Sequence, residues 1–288
     1  MGPLAQSVEQ RTFNPWVVGS IPTGPTHIKA IPGQKWRQLK KLSLKVTIFF
    51  YRLKFLLQHP LRSIIHILSR RKDYSKIKID EIRRYMESPK FIVEAGASDG
   101  VDTLAFVQNF PGITVFAAEP VKKQFDFLTE KFRNIGSIKL SQVALSSKTE
   151  LVNIYIGRTN RELGGMGSSS LLNPSLHKKY FPEISFDETQ LTPAVTLESF
   201  FLSNDLNIVD LLWLDIQGME LDVMKSSKDT MQQGVKLLHL EISNVQFYEG
   251  MPDAKDIRSF LGSIGFKCVI DRVGAISGNA LFVNQNLK

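Results

Sequence analysis

At 288 residues, with 43% hydrophobic and 22% charged content, the chain has the size and composition of an ordinary soluble globular protein of one large domain or two small ones. Cys268 is the single cysteine, which excludes an internal disulfide and a thiolate metal cluster and fits a reducing, cytoplasmic setting. The net charge of +8 is local. Residues 28–72 hold twelve Lys and Arg and no acid, residues 1–27 cancel, and the rest carries −4, so the body lacks the basic face that a nucleic-acid partner would need.

Residues 1–27, MGPLAQSVEQRTFNPWVVGSIPTGPTH, have no period of 2 or 3.6 and no signal-peptide layout. Read back into codons, AQSVEQ, RTFNP and VGSIPT fall, in order, into three arms of a lysine transfer-RNA gene. The segment is therefore expected to be a mistranslated leader behind a misplaced start codon; the other reading is a disordered leader. Residues 28–89 form a basic arm. Lys41, Lys45 and Arg52 share one helical face, with Ile48, Phe49, Phe55 and Leu56 elsewhere, which predicts an amphipathic helix. Its apolar run is far short of the roughly 20 residues of a membrane span, and Pro60 interrupts it. Residues 35–72 suit either peripheral contact with an anionic membrane or packing on the domain with the basic face solvated. Asp80 to Glu87 predicts a short helix.

From Lys90 the chain alternates strands and helices. FIVEAG is a strand, DTLAFVQNF a helix, ITVFAAEP a strand, and KKQFDFLTEKF a helix with Phe125, Leu128 and Phe132 on one side. IKLSQVAL predicts one strand and ELVNIYIG another, followed by a polar stretch from Arg158 to about Pro193. VDLLWLDI is a buried strand, MELDVMKSS a helix, VKLLHLEIS a strand, and AKDIRSFLGSIG a helix closed by Gly265. FKCVIDRV and GNALFVNQ make a terminal antiparallel hairpin. The fold class is doubly wound α/β, residues 90–288 forming the domain.

In such sheets ligands bind at the carboxyl ends of the strands, where the order reverses around the first strand. There the chain reads FIVEAGASDG: Gly96 and Gly100 let the backbone approach a ligand, and the next helix offers free N–H groups. Glu119 ends the second strand, 23 residues past Gly96, where a carboxylate can accept both ribose hydroxyls of a nucleotide. A pyrophosphate would ask for G-x-G-x-x-G; here Glu94 and Asp99 put negative charge in the turn. That disfavours a nicotinamide dinucleotide and favours a cofactor with a cationic end, S-adenosylmethionine.

The stretches FIVEAGASDGVDT, FAAEP, QVALSS, VTLESFF, LLWLDIQGMELDVM, LHLEIS and GNALFV together resemble the FkbM-type methyltransferases over residues 90–285. The resemblance implies a Rossmann-like seven-stranded sheet of the class I methyltransferase type. It implies methyl transfer from S-adenosylmethionine to a hydroxyl of a small-molecule or glycan acceptor. Glu94, Gly96 and Gly100, with Ala97, Ser98 and Asp99 between them, would frame the methionine part; Glu119 and Pro120 would face the ribose and Ala144 the adenine. One departure stands out: family members often have Glu where this chain has Gln217, which argues against a base there and leaves Gln217 a candidate substrate contact.

Methyl transfer mainly needs an acceptor positioned in line and a group to take its proton. Asp215 ends the fourth core strand, where it could serve as that base, bind the cofactor ammonium, or merely cap the helix near Met219. Gly218 allows close approach. Glu220 is a candidate substrate contact, although in a first helical turn an acid is equally ordinary on dipole grounds. Glu241, at a strand end, is the second catalytic candidate and a plausible substrate ligand; His239, on the same face, reads as a satisfied core histidine, and His177 as solvated. GGMGSSSLLNP reads as a mobile loop whose Ser168 to Ser170, Ser169 foremost, would donate to substrate, or as a plain linker. Dispersed histidines and acids give no metal-ligand spacing. Three other functions stay open: a nicotinamide-dependent oxidoreductase, a non-catalytic nucleotide-binding module whose Gln217 marks lost catalysis, and a membrane-associated binding protein resting on residues 35–72.

Overall fold

The structure, a computed structural model, describes residues 76–86, 88–159 and 166–287. The leader over 1–27 and almost all of the basic arm, with its membrane face at 35–72, lie outside them. Among the described residues no helix is long and apolar enough to cross a membrane.

The expected helix over 80–87 is the shorter α1 (Ile79–Arg83). The chain then runs through β1 (Phe91–Ala95), α2 (Val101–Asn109), β2 (Thr114–Ala118), α3 (Lys122–Phe132), β3 (Ile138–Ser141), β4 (Ala144–Leu145) and β5 (Glu150–Arg158). Next come α4 (His177–Tyr180), β6 (Ser185–Val195), α5 (Leu197–Ser203), β7 (Val209–Leu214), α6 (Glu220–Ser226) and α7 (Lys228–Gly234). The chain closes with β8 (Val235–Ser243), α8 (Ala254–Ser263), β9 (Phe266–Asp271) and β10 (Ser277–Asn284).

Seven strands form one sheet in the order β3-β2-β1-β7-β8-β10-β9. β1 to β3, β7 and β8 pair in parallel, and the β9–β10 hairpin runs antiparallel, with β10 inserted beside β8. All six residues of β7, VDLLWL, are buried, as a strand covered on both faces requires. The strand period divides the core. Val93, Leu212, Leu214, Leu238 and Leu240 pack against α5 to α8 on one face; Ile92, Leu211, Trp213 and Leu237 meet α1 to α3 on the other. Because β2 lies on one side of β1 and β7 on the other, strand order reverses at β1, which opens a crevice at the strand ends.

Two expectations are corrected. IKLSQVAL is not one strand: β3 stays in the main sheet, while β4 leaves it for a three-stranded sheet in the order β4-β6-β5. The stretch from Arg158 to Pro193 is not merely polar linker, because from Ser185 on it is β6, parallel to β4 and antiparallel to β5. This small sheet is latched to the loop after β2. Gln190 and Thr192 donate to the Pro120 carbonyl at 2.9 and 3.2 Å, and Lys122 N donates to Gln190 Oε1 at 3.0 Å.

Candidate active site

The crevice is shaped first by backbone. At the end of β1, Gly96 takes φ +87°, and its amide and that of Ala97 donate to the Ala118 carbonyl of β2 at 3.0 and 3.2 Å. On the other side Asp215 N donates to the Ala95 carbonyl at 3.1 Å. A Cβ at Gly96 would stand 2.0 Å from the Asp215 carbonyl oxygen, so only glycine lets these strand ends close together. Ser98 follows at φ 51°, which turns its amide inward to donate to Glu119 Oε2 at 2.9 Å.

Around this turn lies a cavity of ≈ 230 Å³. It is lined by Glu94, Gly96, Ala97, Ser98 and Asp99 from the first strand end, by Glu119 and Pro120 from the second, and by Asp215 and Gln217 after β7. Val143, Ala144, Leu145, Ile154 and Leu171 make an apolar wall, and Ser169 closes the rim. Of the described residues lining it none is basic, whereas Glu94, Asp99, Asp102, Glu119 and Asp215 are acidic.

Two of these acids are deeply set. Glu119 is 3% exposed, and its other oxygen accepts from Val121 N at 2.8 Å. Burial pushes its carboxyl up to about 7, against the pull of its two amide donors. Glu94, 2% exposed, accepts from Thr103 Oγ1 at 2.6 Å. Burial, only partly offset by Thr103 and reinforced by the charges of Asp102, Asp215 and Glu119, raises it to about 8. The cavity is thus a site where positive charge would be welcome.

Beyond β7 the turn Ile216–Gly218 carries the remaining candidates. Gln217 adopts φ 53° and donates from Nε2 to Asp215 Oδ1 at 2.6 Å. Tyr248, fully buried, lies with its hydroxyl 3.1 Å from Gln217 Oε1 and donates to the Ser168 carbonyl at 2.7 Å. Sequence reasoning missed Tyr248, which sits in a loop with no spacing relation to Asp215. The N-cap of α6, at Met219, receives no side-chain cap bond. The carboxylate that holds the turn belongs to Glu220, whose oxygens accept from Ile216 N at 3.1 Å and Gly218 N at 3.0 Å. Glu220 is 2% exposed, does not line the cavity, and is raised to about 7 by burial.

Other candidates fall elsewhere. Gly100, at φ +68°, starts α2 away from the cavity; a Cβ there would strike Leu128 and Phe132 at 2.6 Å, so packing against α3 demands the glycine. Gly218 approaches the side chains of Leu172 and Met251. Glu241, half-buried on β8, is outside the cavity lining, although its charge reaches Tyr248. The described part of the serine loop, from 166 on, is tied down: Ser169 Oγ accepts from Gly157 N at 3.1 Å, and Ser170 Oγ donates to the Gln217 carbonyl at 2.7 Å.

The two histidines also differ from expectation. His177 is not solvated but buried among Phe181, Phe186, Phe247 and Tyr248, and desolvation lowers it to about 4. His239 is a core residue, stacked on Trp213 with centroids 3.4 Å apart, yet not a satisfied one: Asn279 faces it, but neither ring nitrogen reaches a partner at hydrogen-bond geometry.

The family model for the methyltransferase FkbM domain matches residues 94–268. The 2-O-methyltransferase NoeI of Sinorhizobium fredii is 26% identical over 220 residues, 75% of this chain and 89% of that protein. Among solved structures, a methyltransferase FkbM from Methylobacillus flagellatus superposes with a TM-score of 0.46 at 15% identity, over 73% of this chain. The match spans 47% of that chain, so this protein corresponds to about half its length. The N-terminal domain of EvdMO1, crystallised in the presence of SAH and D-fucose, gives a TM-score of 0.39 at 12% identity, over 71% of this chain and 81% of that one.

Proposed function

The chain belongs to the FkbM methyltransferase family and uses S-adenosylmethionine, and from that premise we propose that it methylates a hydroxyl oxygen of a neutral small-molecule or sugar acceptor, with Asp215 as the base. When bound, the cofactor supplies a methyl carbon made electrophilic by its sulfonium. The residues present fit it. The Glu119 carboxylate, after serving two backbone amides, keeps lone pairs for ribose hydroxyls. The wall of Val143, Ala144 and Leu145 suits a purine, and Glu94 and Asp215 suit an ammonium and a sulfonium. Family membership sets aside the nicotinamide and non-catalytic readings.

The observation that carries the acceptor class is the cavity's charge. With five acids and no base among its described lining residues, it would repel a phosphorylated or polyanionic acceptor and accept a neutral polyol. The oxygen-directed activity named for NoeI supports the same choice. Asp215, at the end of β7, would take the proton as the hydroxyl oxygen attacks, while Gly96 keeps the two strand ends close enough for cofactor and acceptor to meet. The positive segment at 35–72 supports peripheral contact with an anionic membrane, on charge alone.

The test is transfer of labelled methyl from S-adenosylmethionine to a panel of neutral hexose and 6-deoxyhexose glycosides, beside their phosphorylated counterparts. Turnover on neutral glycosides, reduced at least a hundredfold in Asp215→Asn and by more than any loss of S-adenosylhomocysteine affinity, is expected. Transfer confined to anionic acceptors or to nitrogen would overturn it.

A further inference from the structure

The hydrogen atoms joining Asp215, Gln217 and Tyr248 do not add up while Asp215 is ionised. The Tyr248 phenol has one proton and two neighbours. The Ser168 carbonyl, at 2.7 Å, can only accept. Gln217 Oε1, at 3.1 Å, can also only accept while the same amide sends its N–H to Asp215 Oδ1 at 2.6 Å. Tyr248 is wholly buried, so bulk water supplies its hydroxyl with no proton, and Gln217 Oε1, half-buried at the cavity wall, gets none from the phenol. Half a turn of the Gln217 amide resolves the count. Its N–H then donates to the phenol oxygen, the phenol donates to Ser168, and the amide oxygen faces Asp215, where the link is complete only if the carboxyl carries a proton.

We propose that Gln217 and Tyr248 are positioning residues for methyl transfer, forming a chain whose amide turns over as Asp215 receives the acceptor's proton and which is fully satisfied only in that protonated state. This rests on the reading of Asp215 as base. In the step, the acceptor O–H bond breaks and its proton goes to Asp215. The oxygen's electron pair forms the new bond to the methyl carbon, and the pair of the broken S–C bond stays on sulfur. Among the described groups, Glu94 from β1, Glu220 from α6 and Glu241 from β8 bring negative charge toward Asp215 or Tyr248 when ionised. Glu220 also fixes the turn, through the amides of Ile216 and Gly218, and the Gln217 carbonyl is held by Ser170, so the side-chain amide can turn over without moving the backbone.

The experiment is a pH titration of the full chain by NMR, with Asp carboxyl carbons and Gln side-chain nitrogens labelled and S-adenosylhomocysteine present as the probe. In the wild-type protein the Gln217 amide signals should move with the same midpoint as the Asp215 carboxyl carbon. In Tyr248→Phe the Asp215 midpoint should fall, by about half a pH unit or more, whereas Gln217→Leu, which removes the N–H bond to the carboxylate, should raise it, and the double variant should match Gln217→Leu alone. A Gln217 amide indifferent to the Asp215 titration would overturn the proposal, as would additive shifts in the double variant. The wild-type titration decides even if a variant fails to fold. Full turnover by Asp215→Asn would instead overturn the base reading, and leaves the co-titration to be judged by itself.

Discussion

Gly96 and Asp215 meet backbone to backbone: a carbon added at Gly96 would lie 2.0 Å from the Asp215 carbonyl oxygen and 3.0 Å from its carbonyl carbon. Neither strand end can retreat, since Asp215 N is already bonded to Ala95 O and Gly96 N to Ala118 O. Gly96→Ala is therefore expected to cost roughly 2–4 kcal/mol of stability and to weaken S-adenosylhomocysteine binding at least tenfold. Gly112, at φ +82° with open space around it, is the control: Gly112→Ala meets only backbone strain, on the order of 1 kcal/mol. Thermal unfolding and calorimetry on both variants check this; equal effects would refute the steric account.

Glu119 should carry a large part of cofactor affinity. A buried carboxylate bonded to ligand hydroxyls contributes about 1.5–3 kcal/mol per bond, so Glu119→Ala is expected to raise the Kd for S-adenosylhomocysteine by roughly 10- to 100-fold. The same change frees the Ser98 and Val121 amides, so a fall in Tm should accompany it. Retained affinity would place the ribose elsewhere.

Cofactor binding should release protons. Glu94 and Glu119 titrate near 8 and 7 in the free protein, both raised by burial, so each holds a proton for part of the time around neutrality. A cationic ligand favours their ionised forms, lowers those values and expels protons below about pH 8. Affinity for S-adenosylmethionine should then rise with pH between about 6 and 8.5, by up to about tenfold per unit for each proton released. The free protein runs the other way. Carboxyls raised above 4.5 contribute stability that is complete below that value and lost as pH climbs through 7 and 8. Calorimetry in buffers of different ionisation heat measures the released protons; a pH-independent Kd would contradict the linkage.

Much of this was legible before the structure, and the failures have physical causes. β7 and β8 announce themselves as apolar runs because a strand covered on both faces needs little else, and Glu94, Gly96 and Glu119 follow from where such strands end. β6 was hidden because SFDETQLTPAV buries only Phe186, Thr192 and Ala194 and contains Pro193, which speaks against a strand; the proline sits just before the two residues at which β4 joins. His177 was misplaced because lysines surround it in sequence, while its burial comes from Phe181, Phe186, Phe247 and Tyr248. The density of aromatics in HKKYFPEISF was the available signal. Tyr248 could not be found that way, since only the packing of its loop over the turn after β7 brings it to Gln217.

His177 should make the protein acid-sensitive. Its folded value, about 4, lies below the unfolded 6.5, so the unfolded chain takes up the proton first. The stability tied to the neutral ring is complete above about 6.5 and lost as pH falls toward 4. His177→Phe, which keeps an aromatic in the cluster and removes the proton site, is expected to gain about 1–2 kcal/mol on the wild type at pH 5 relative to the difference at pH 7.5. Denaturant unfolding at the two pH values checks this. His239, lowered to about 3, remains in both proteins and cancels from the comparison.

Glu220 offers the sharpest separation between shaping a site and touching a substrate. Its carboxylate does not line the cavity, yet it holds the amides of Ile216 and Gly218 on either side of Gln217, both in a turn whose φ angles of 53° and 108° need support. Removing it leaves two buried donors unpaired, at a cost of about 1–3 kcal/mol each, so Glu220→Ala should destabilise the fold by roughly 2–5 kcal/mol. Glu220→Gln keeps one acceptor and should lose about half as much. Because the turn aims Gln217 at Asp215, turnover should fall in proportion to the disorder of the turn, while KM for the acceptor stays within about twofold. A Glu220→Gln enzyme with native stability and a sharply raised acceptor KM would instead place this carboxylate in contact with the substrate.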